Sequence, residues 1–275
     1  MSPTTQSGQN NKNTLTKHAN PKPYVSVVIP TLNEEGFIAA LLNDLITQDM
    51  KYEVIVSDSG SVDRTQEIVE SFIKKYPQKN IRFIPAPIKG VSIARNNGAA
   101  FAKADYIIFL DADTRIPANF LRNAYLEVKR RGLAGAGCDP ATDSEKILDK
   151  FAFKFNSHCI LNVFQYTMKP FSAGAGIIVK RSIHQEIKGF DPKLNTCEDL
   201  DYIRKISNAG KFRMLKSTKI IFNTRRLEDE GRARVWFKYL VWGSCYLLNL
   251  KPVKFEYQFG KFNSDKFTNE LSNKV

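Results

Sequence analysis

Between residues 24 and 110 the chain alternates four times between a short apolar run and a segment with helical spacing, and this alternation leaves few folds open. The runs are Tyr24 to Ile29, closed by Pro30, then Glu53 to Ser57, Ile81 to Ile84 and Tyr106 to Leu110. They are rich in β-branched residues and short enough for buried strands. Between them, Phe37, Ile38, Leu41, Leu42, Leu45 and Ile46 form one apolar stripe, and Ile68, Val69, Phe72 and Ile73 another. A third helix is expected over Ser92 to Ala102. Asn33 is placed to cap the first helix, with Glu34 and Glu35 in its first turn. Joints this short call for right-handed crossovers, hence an α/β fold with a mostly parallel sheet covered on both faces. In such sheets ligands bind beyond the carboxyl ends of the strands.

Three of those strand ends carry acids. After the first comes Pro30-Thr31-Leu32-Asn33-Glu34, after the second Asp58-Ser59-Gly60-Ser61-Val62-Asp63, and after the fourth Asp111-Ala112-Asp113. Carboxylates gathered on one rim repel unless a cation or hydrogen-bond donors intervene. The economical explanation is a divalent metal together with a ligand rich in hydroxyl and N–H donors. Asp111 and Asp113 project to the same side of an extended segment, and oxygen-only ligation suits Mg²⁺ or Mn²⁺ carrying a diphosphate. Taken alone, an Asp-x-Asp is as readily a turn or cap before the helix that Pro117 opens.

The three rim motifs, in this order, resemble the family-2 glycosyltransferases, whose nucleotide-sugar-binding fold is called GT-A. The resemblance also takes in Gly90-Val91-Ser92-Ile93-Ala94-Arg95-Asn96-Asn97-Gly98, Gly189-Phe190-Asp191 and Glu198-Asp199-Leu200-Asp201, and spans about 24 to 210. One departure is Ser59, where the family's turn has a second Asp; Asp58, the position the family uses on the base, is kept. The resemblance implies that Pro30, Thr31, Glu34, Asp58 and Arg95 line the nucleoside site. It implies that Asp111 touches the ribose or donor sugar, and that Asp113, with Asp111, ligates the metal. It also implies an inverting transfer from a nucleotide sugar, most simply UDP-linked, with Asp199 of the Glu198-Asp199 pair as the base. A helix N-terminus would favour the ionised form of that base. The competing reading of Thr196-Cys197-Glu198-Asp199 is a capping box, with Thr196 as the cap. Arg95 can equally be a helix-surface arginine, and Asp58 the residue that opens the Gly60 turn. Small residues in Ser172-Ala173-Gly174-Ala175-Gly176 would let ligands approach the backbone. Arg225 and Arg226, past the run Ile220 to Phe222, are placed to neutralise the departing nucleotide, or else form a solvated basic turn.

Composition excludes several other classes. With 275 residues, 43% apolar types and 25% charged residues, the chain is neither globally disordered nor fibrous. Its net charge of +13 is uneven. Residues 23–210 carry only +2, whereas residues 211–275 carry fourteen Lys/Arg against six Asp/Glu. A nucleic-acid enzyme would spread that charge across the folded face. The four cysteines and three histidines show no zinc spacing, and widely spaced thiols suit a cytoplasmic protein. Residues 1–22 read as a disordered leader without a signal peptide, 23–227 as the GT-A domain and 228–275 as a basic, aromatic extension. Within that extension, Val235 to Leu248 holds both tryptophans, and Arg232, Arg234 and Lys238 flank it. Residues 232–250 therefore suit a helix on an anionic membrane surface, bringing the enzyme to a lipid-linked acceptor. A core helix packed on the domain, or a dimer contact, is the other reading. A nicotinamide oxidoreductase would need Gly-x-Gly-x-x-Gly after the first strand. Neither Gly135-x-Gly137 nor Gly174-x-Gly176 is followed by the third glycine. A non-catalytic nucleotide-sugar-binding module of the same fold is the remaining alternative.

Overall fold

The computed structural model describes residues 22–161, 164–166, 170–172, 174–194, 196–248 and 250, with the side chains of 158–160, 225 and 226 outside that description. The leader expected over 1–22 and the polar tail after 250 thus fall almost wholly outside the described residues. The strands are β1 (Val25–Thr31), β2 (Tyr52–Asp58), β3 (Ile81–Pro85), β4 (Tyr106–Phe109), β5 (Thr114–Arg115), β6 (Gly135–Thr142), β7 (Ile177–Lys180) and β8 (Phe212–Phe222). The helices are α1 (Ile38–Ile46), α2 (Thr65–Lys75), α3 (Val91–Ala100), α4 (Phe120–Arg130), α5 (Ile147–Phe155), α6 (Arg181–Glu186), α7 (Glu198–Ala209), α8 (Arg225–Asp229) and α9 (Arg232–Leu247). A π-helical turn, Asn156–Leu161, follows α5.

The strands form one sheet in the order β3-β2-β1-β4-β7-β6-β8-β5. Its first four members pair in parallel, as the strand–helix alternation requires. β7 then runs antiparallel between β4 and β6, and β5 antiparallel to β8. Alternate residues of each central strand feed opposite layers. Val27, Ile29, Val54, Val56 and Ile108 pack with Leu41, Leu45 and Phe120 of α1 and α4. Val28, Ile55, Ile107 and Phe109 pack with Ile203 and Ile206 of α7 and with Phe190. Both faces are therefore dry.

Two local expectations are corrected. β1 does not stop at Pro30 but continues to Thr31, pairing Pro30 with Ser57 and Thr31 with Asp58. The ladder to β4 ends earlier, at Val28, so the N–H that proline lacks has no strand facing it. Asn33 does not cap α1, which begins four residues later than that reading places it and has no side-chain cap. Asn33 instead adopts a left-handed conformation (φ 56°). Its carboxamide oxygen accepts from the Val62 N–H, and its own N–H donates to Ser61 Oγ. The polar side chain ties two loops together rather than one helix end.

Gly98 sets how closely α3 approaches the sheet. A Cβ there would stand 2.5 Å from Val28 Cγ1 and 3.3 Å from Ser57 Cβ. Gly98→Ala should therefore cost about 1–3 kcal/mol through overpacking, read as a lower urea midpoint with an unchanged m-value.

Candidate active site

The loops after β1 and β2 are stitched into a single wall. The Asp58 carboxylate accepts from Thr31 Oγ1 (2.8 Å) and Ser61 Oγ (2.6 Å) on one oxygen, and from the Gly60 and Ser61 N–H groups on the other. Across the same seam, the Glu34 N–H donates to Thr65 Oγ1, the Glu35 N–H to Asp63 and the Arg64 N–H to Glu35. Asp58 thus opens the Gly60 turn while also anchoring β1. Its acceptor sites are filled, so a nucleobase N–H reaching it must displace one of these donors.

The second wall is built on charge. Arg95, 3% exposed on α3, donates to Asp111 (2.9 Å) and Glu198 (3.0 Å). It joins the end of β4 to the start of α7 rather than lying on a helix surface. Burial works against its charge, but the carboxylates of Asp111, Glu198 and Asp199 prevail and raise its pKa. The guanidinium lies 5.1 Å over the Phe190 ring, which stacks on Tyr202 at 3.8 Å. Asn96 secures that ring by accepting from the Phe190 N–H and donating to the Phe190 carbonyl. Tyr202 in turn hydrogen-bonds His184 Nδ1, a ring that burial keeps neutral by lowering its pKa to about 4. The Gly189-Phe190-Asp191 motif pointed to this support, whereas nothing in the spacing of Tyr202 or His184 did.

Asp199 holds the second position of α7, next to Glu198. Burial first, then the neighbouring Glu198, raise its pKa to about 7, against the pull of Arg95 and the Leu200 N–H. The ionised form that the helix N-terminus favours is thus opposed by desolvation and a like charge, which outweigh the dipole and raise the pKa. The capping box fails. Cys197, in a left-handed conformation (φ 59°), starts α7, and no side chain caps it. Among the described residues, Asp199 accepts a hydrogen bond from the next residue's N–H (2.9 Å). A side chain at Gly174 is barred here, since its Cβ would meet Asp199 Oδ2 at 2.8 Å. β7 pairs Ile177 with Phe109 in antiparallel fashion, so residues 174–176 extend past the end of β4, above Asp111.

Asp113, half-buried, follows Asp111 by two residues. The β5–β8 register, Thr114 opposite Phe222, brings residues 113 and 223 to the same end of that pair. Arg225 and Arg226 open α8 just beyond, but their side chains lie outside the described residues. Pro30 and Thr31 close β1, beside Ser57 and Asp58 of β2, and Glu34 follows in the next loop.

The model of the family described as glycosyl transferase family 2 matches residues 26–187, more than half of the chain. The chain is a family-2 glycosyltransferase. Among its relatives, the glycosyltransferase EpsJ of Bacillus subtilis is 32% identical over 117 residues, covering 42% of this chain and 33% of its own. The poly(ribitol-phosphate) β-N-acetylglucosaminyltransferase TarS of Staphylococcus aureus is 26% identical over 217 residues, 73% of this chain and 35% of its own. The aligned chain thus spans about a third of these relatives. Among solved structures, TarS residues 1–349 with UDP superpose with a TM-score of 0.57 at 24% identity, covering 72% of this chain and 60% of that one. The mannosyltransferase PcManGT of Pyrobaculum calidifontis, with GDP-Man and Mn²⁺, gives 0.65 at 21% identity over 86% of this chain and 67% of its own. These superpositions show the GT-A fold.

Among the described residues of this glycosyltransferase, no three His, Cys, Asp or Glu side chains gather into a self-contained metal site. The donor set still fits a hard cation. Asp111 keeps a 35% exposed side chain with one oxygen on Arg95, and Asp113 is half-buried beside it. Two oxygen donors with open positions suit an ion completed by a diphosphate and water.

The aromatic segment near the C-terminus forms α9, and it does pack on the domain. Arg232 pairs with the buried Asp149 of α5 (2.9 Å), Trp236 meets Phe153 edge-on, and the Tyr246 hydroxyl donates to the Pro170 carbonyl (3.0 Å). Burial raises the Tyr246 phenol to about 12, with a further push from Asp201 and Asp199 against Arg204. No helix among the described residues is long and apolar enough to cross a membrane.

The raised pKa of Asp199 has a stability consequence. The folded protein holds this proton between the unfolded carboxyl pKa of 3.8 and about 7, so the ionised group destabilises the fold increasingly as pH rises through that window. Asp199→Asn should thus be more stable than the parent at pH 8, by roughly 1–2 kcal/mol, with the advantage shrinking as the pH falls and lost near pH 4. Calorimetry at the two pH values checks it.

Proposed function

We propose that this glycosyltransferase moves a sugar from a nucleoside-diphosphate donor, UDP-linked, to an acceptor hydroxyl with inversion at the anomeric carbon. The observation that carries the reading is the buried Arg95 guanidinium, which joins the donor-side carboxylate Asp111 to Glu198, the neighbour of Asp199. The choice of UDP is supported by TarS, the relative whose alignment covers 73% of this chain and whose structures hold UDP and UDP-GlcNAc. Cytoplasmic placement rests on the widely spaced cysteines.

In this mechanism Thr31, Asp58 and Glu34 receive the nucleoside at the β1–β2 wall, with Pro30 shaping its floor. Asp111 orients the ribose or donor sugar, and Arg95 holds that carboxylate in place. Asp113 with Asp111 would hold a divalent cation, Mn²⁺ or Mg²⁺, which would supply positive charge for the leaving diphosphate. Arg225 and Arg226 add charge of the same sign from the β8 end. Asp199 accepts the acceptor hydroxyl's proton on a carboxyl oxygen as the new C–O bond forms opposite the breaking one. A base with a pKa near 7 is half-ionised at neutrality yet basic enough to take that proton. Glu198 keeps it so by like-charge repulsion, while Arg95 prevents the cluster from springing apart.

Three outcomes test this reading. In a thermal-shift screen, UDP-sugars with Mn²⁺ should raise the melting temperature more than either alone, and Asp113→Asn should remove the metal increment. Equal shifts with and without Mn²⁺ would discard the cation. Turnover should fall about tenfold per pH unit as the pH drops below the raised pKa of Asp199, about 7. Asp199→Asn should retain the donor-induced shift while transfer drops by about 10²–10⁴-fold; unchanged transfer would leave Asp199 a structural residue.

A further inference from the structure

β6 and β8 do not stay in step. Gly137 pairs with Met214 but Asp139 with Lys219, so four residues of β8, 215–218, stand against Cys138 alone. The surplus forms a bulge, held by the buried Glu127 of α4, whose carboxylate accepts from the Lys216 and Ser217 N–H groups and from Ser217 Oγ. Beside the bulge lies a cavity of about 410 Å³, a size that suits a small ligand. Its walls include Asp139, Ser157, Gln165, Tyr166, Met214 and Lys216. None of the six belongs to the donor site. One Asp139 oxygen accepts from Ser157 Oγ, in the turn after α5. The Gln165 carboxamide oxygen accepts from the Met214 N–H (3.0 Å). The Arg213 guanidinium donates to the Gln165 carbonyl (2.8 Å) and lies 5.0 Å from the Tyr166 ring, which stays 64% exposed.

A carboxylate, a carboxamide, an ammonium group and an open aromatic ring together suit a sugar. Its hydroxyls both donate and accept, and its C–H face lies well on an aromatic one. A bare phosphate would meet the like charge of Asp139. The cavity also shares the sheet edge of the transfer site. β7 runs antiparallel to both β4 and β6, so the carboxyl ends of β4 and β6 lie at one edge. Asp139 thus stands two strands from Asp111, roughly 10 Å at the usual spacing. The loop before β7 fills the interval. A carbon on Gly137 would strike both Ser172 Oγ and Met214 Sδ, and two residues beyond Ser172 the Gly174 backbone abuts Asp199. We propose that this cavity holds one sugar unit of the acceptor, which is therefore a saccharide of at least two units. Calling that saccharide the acceptor rests on the transferase reading; its binding rests on the cavity alone.

Saturation-transfer NMR of the full chain with cellobiose, lactose and N,N′-diacetylchitobiose, without donor or metal, tests the cavity apart from the transfer chemistry. At least one of these should give a saturable signal, and Tyr166→Ala and Lys216→Ala should each weaken its affinity by about tenfold. Both side chains are exposed, so the melting temperature should hardly move. Tyr166→Leu repeats the test should Tyr166→Ala melt early. No signal from any of the sugars, or equal affinity in parent and variants, overturns the proposal. So does inorganic phosphate that binds through Lys216 while the sugars do not, which would make the cavity an anion site. With a UDP-sugar and Mn²⁺, the disaccharide that binds should gain one sugar by mass spectrometry, with a KM about tenfold higher for Tyr166→Ala. Binding without that gain, in protein that still releases UDP from the donor, would overturn the acceptor role. Absence of UDP release would instead count against the transferase reading and leave the binding result standing.

Discussion

The cleft depends on one buried cation. Asp111, Glu198 and Asp199 converge from strand and helix ends that have no other reason to meet, and three carboxylates at close quarters would drive those elements apart. The Arg95 guanidinium spans two of them and lowers the energy of the third. Breaking such a buried pair by removing one member costs about 3–5 kcal/mol, because the partners keep their charge and lose its balance. The aromatic stack of Phe190 and Tyr202 and the two-way amide contact of Asn96 explain how so exposed a chemistry sits on so fixed a frame.

The sheet supplies the other half of the site. Its parallel half delivers the β1 and β2 loops to one edge, and the antiparallel insertion of β7 sends residues 174–176 over the end of β4. The short β5–β8 pair then returns the chain beside Asp113. Parallel crossovers create the rim, and antiparallel pairings close it on the far side.

Much of this was legible from residue order. Apolar runs with two kinds of period give the four parallel strands and their helices, since buried strands and half-buried helices leave different periodicities. Acids at strand ends, read with the motif resemblance, single out Asp58, Asp111, Asp113 and Asp199. What could not be read is tertiary. Asn33 looks like a cap because its type and spacing are right, but the loop after β2 offers its side chain a better partner in the Val62 N–H. The protonation of Asp199 depends on burial and on Glu198, which no spacing rule contains.

Gly174 leaves no room for a carbon atom between its backbone and the Asp199 carboxyl. Attempts to widen or redirect acceptor choice by enlarging that loop would crush the base before they touched selectivity.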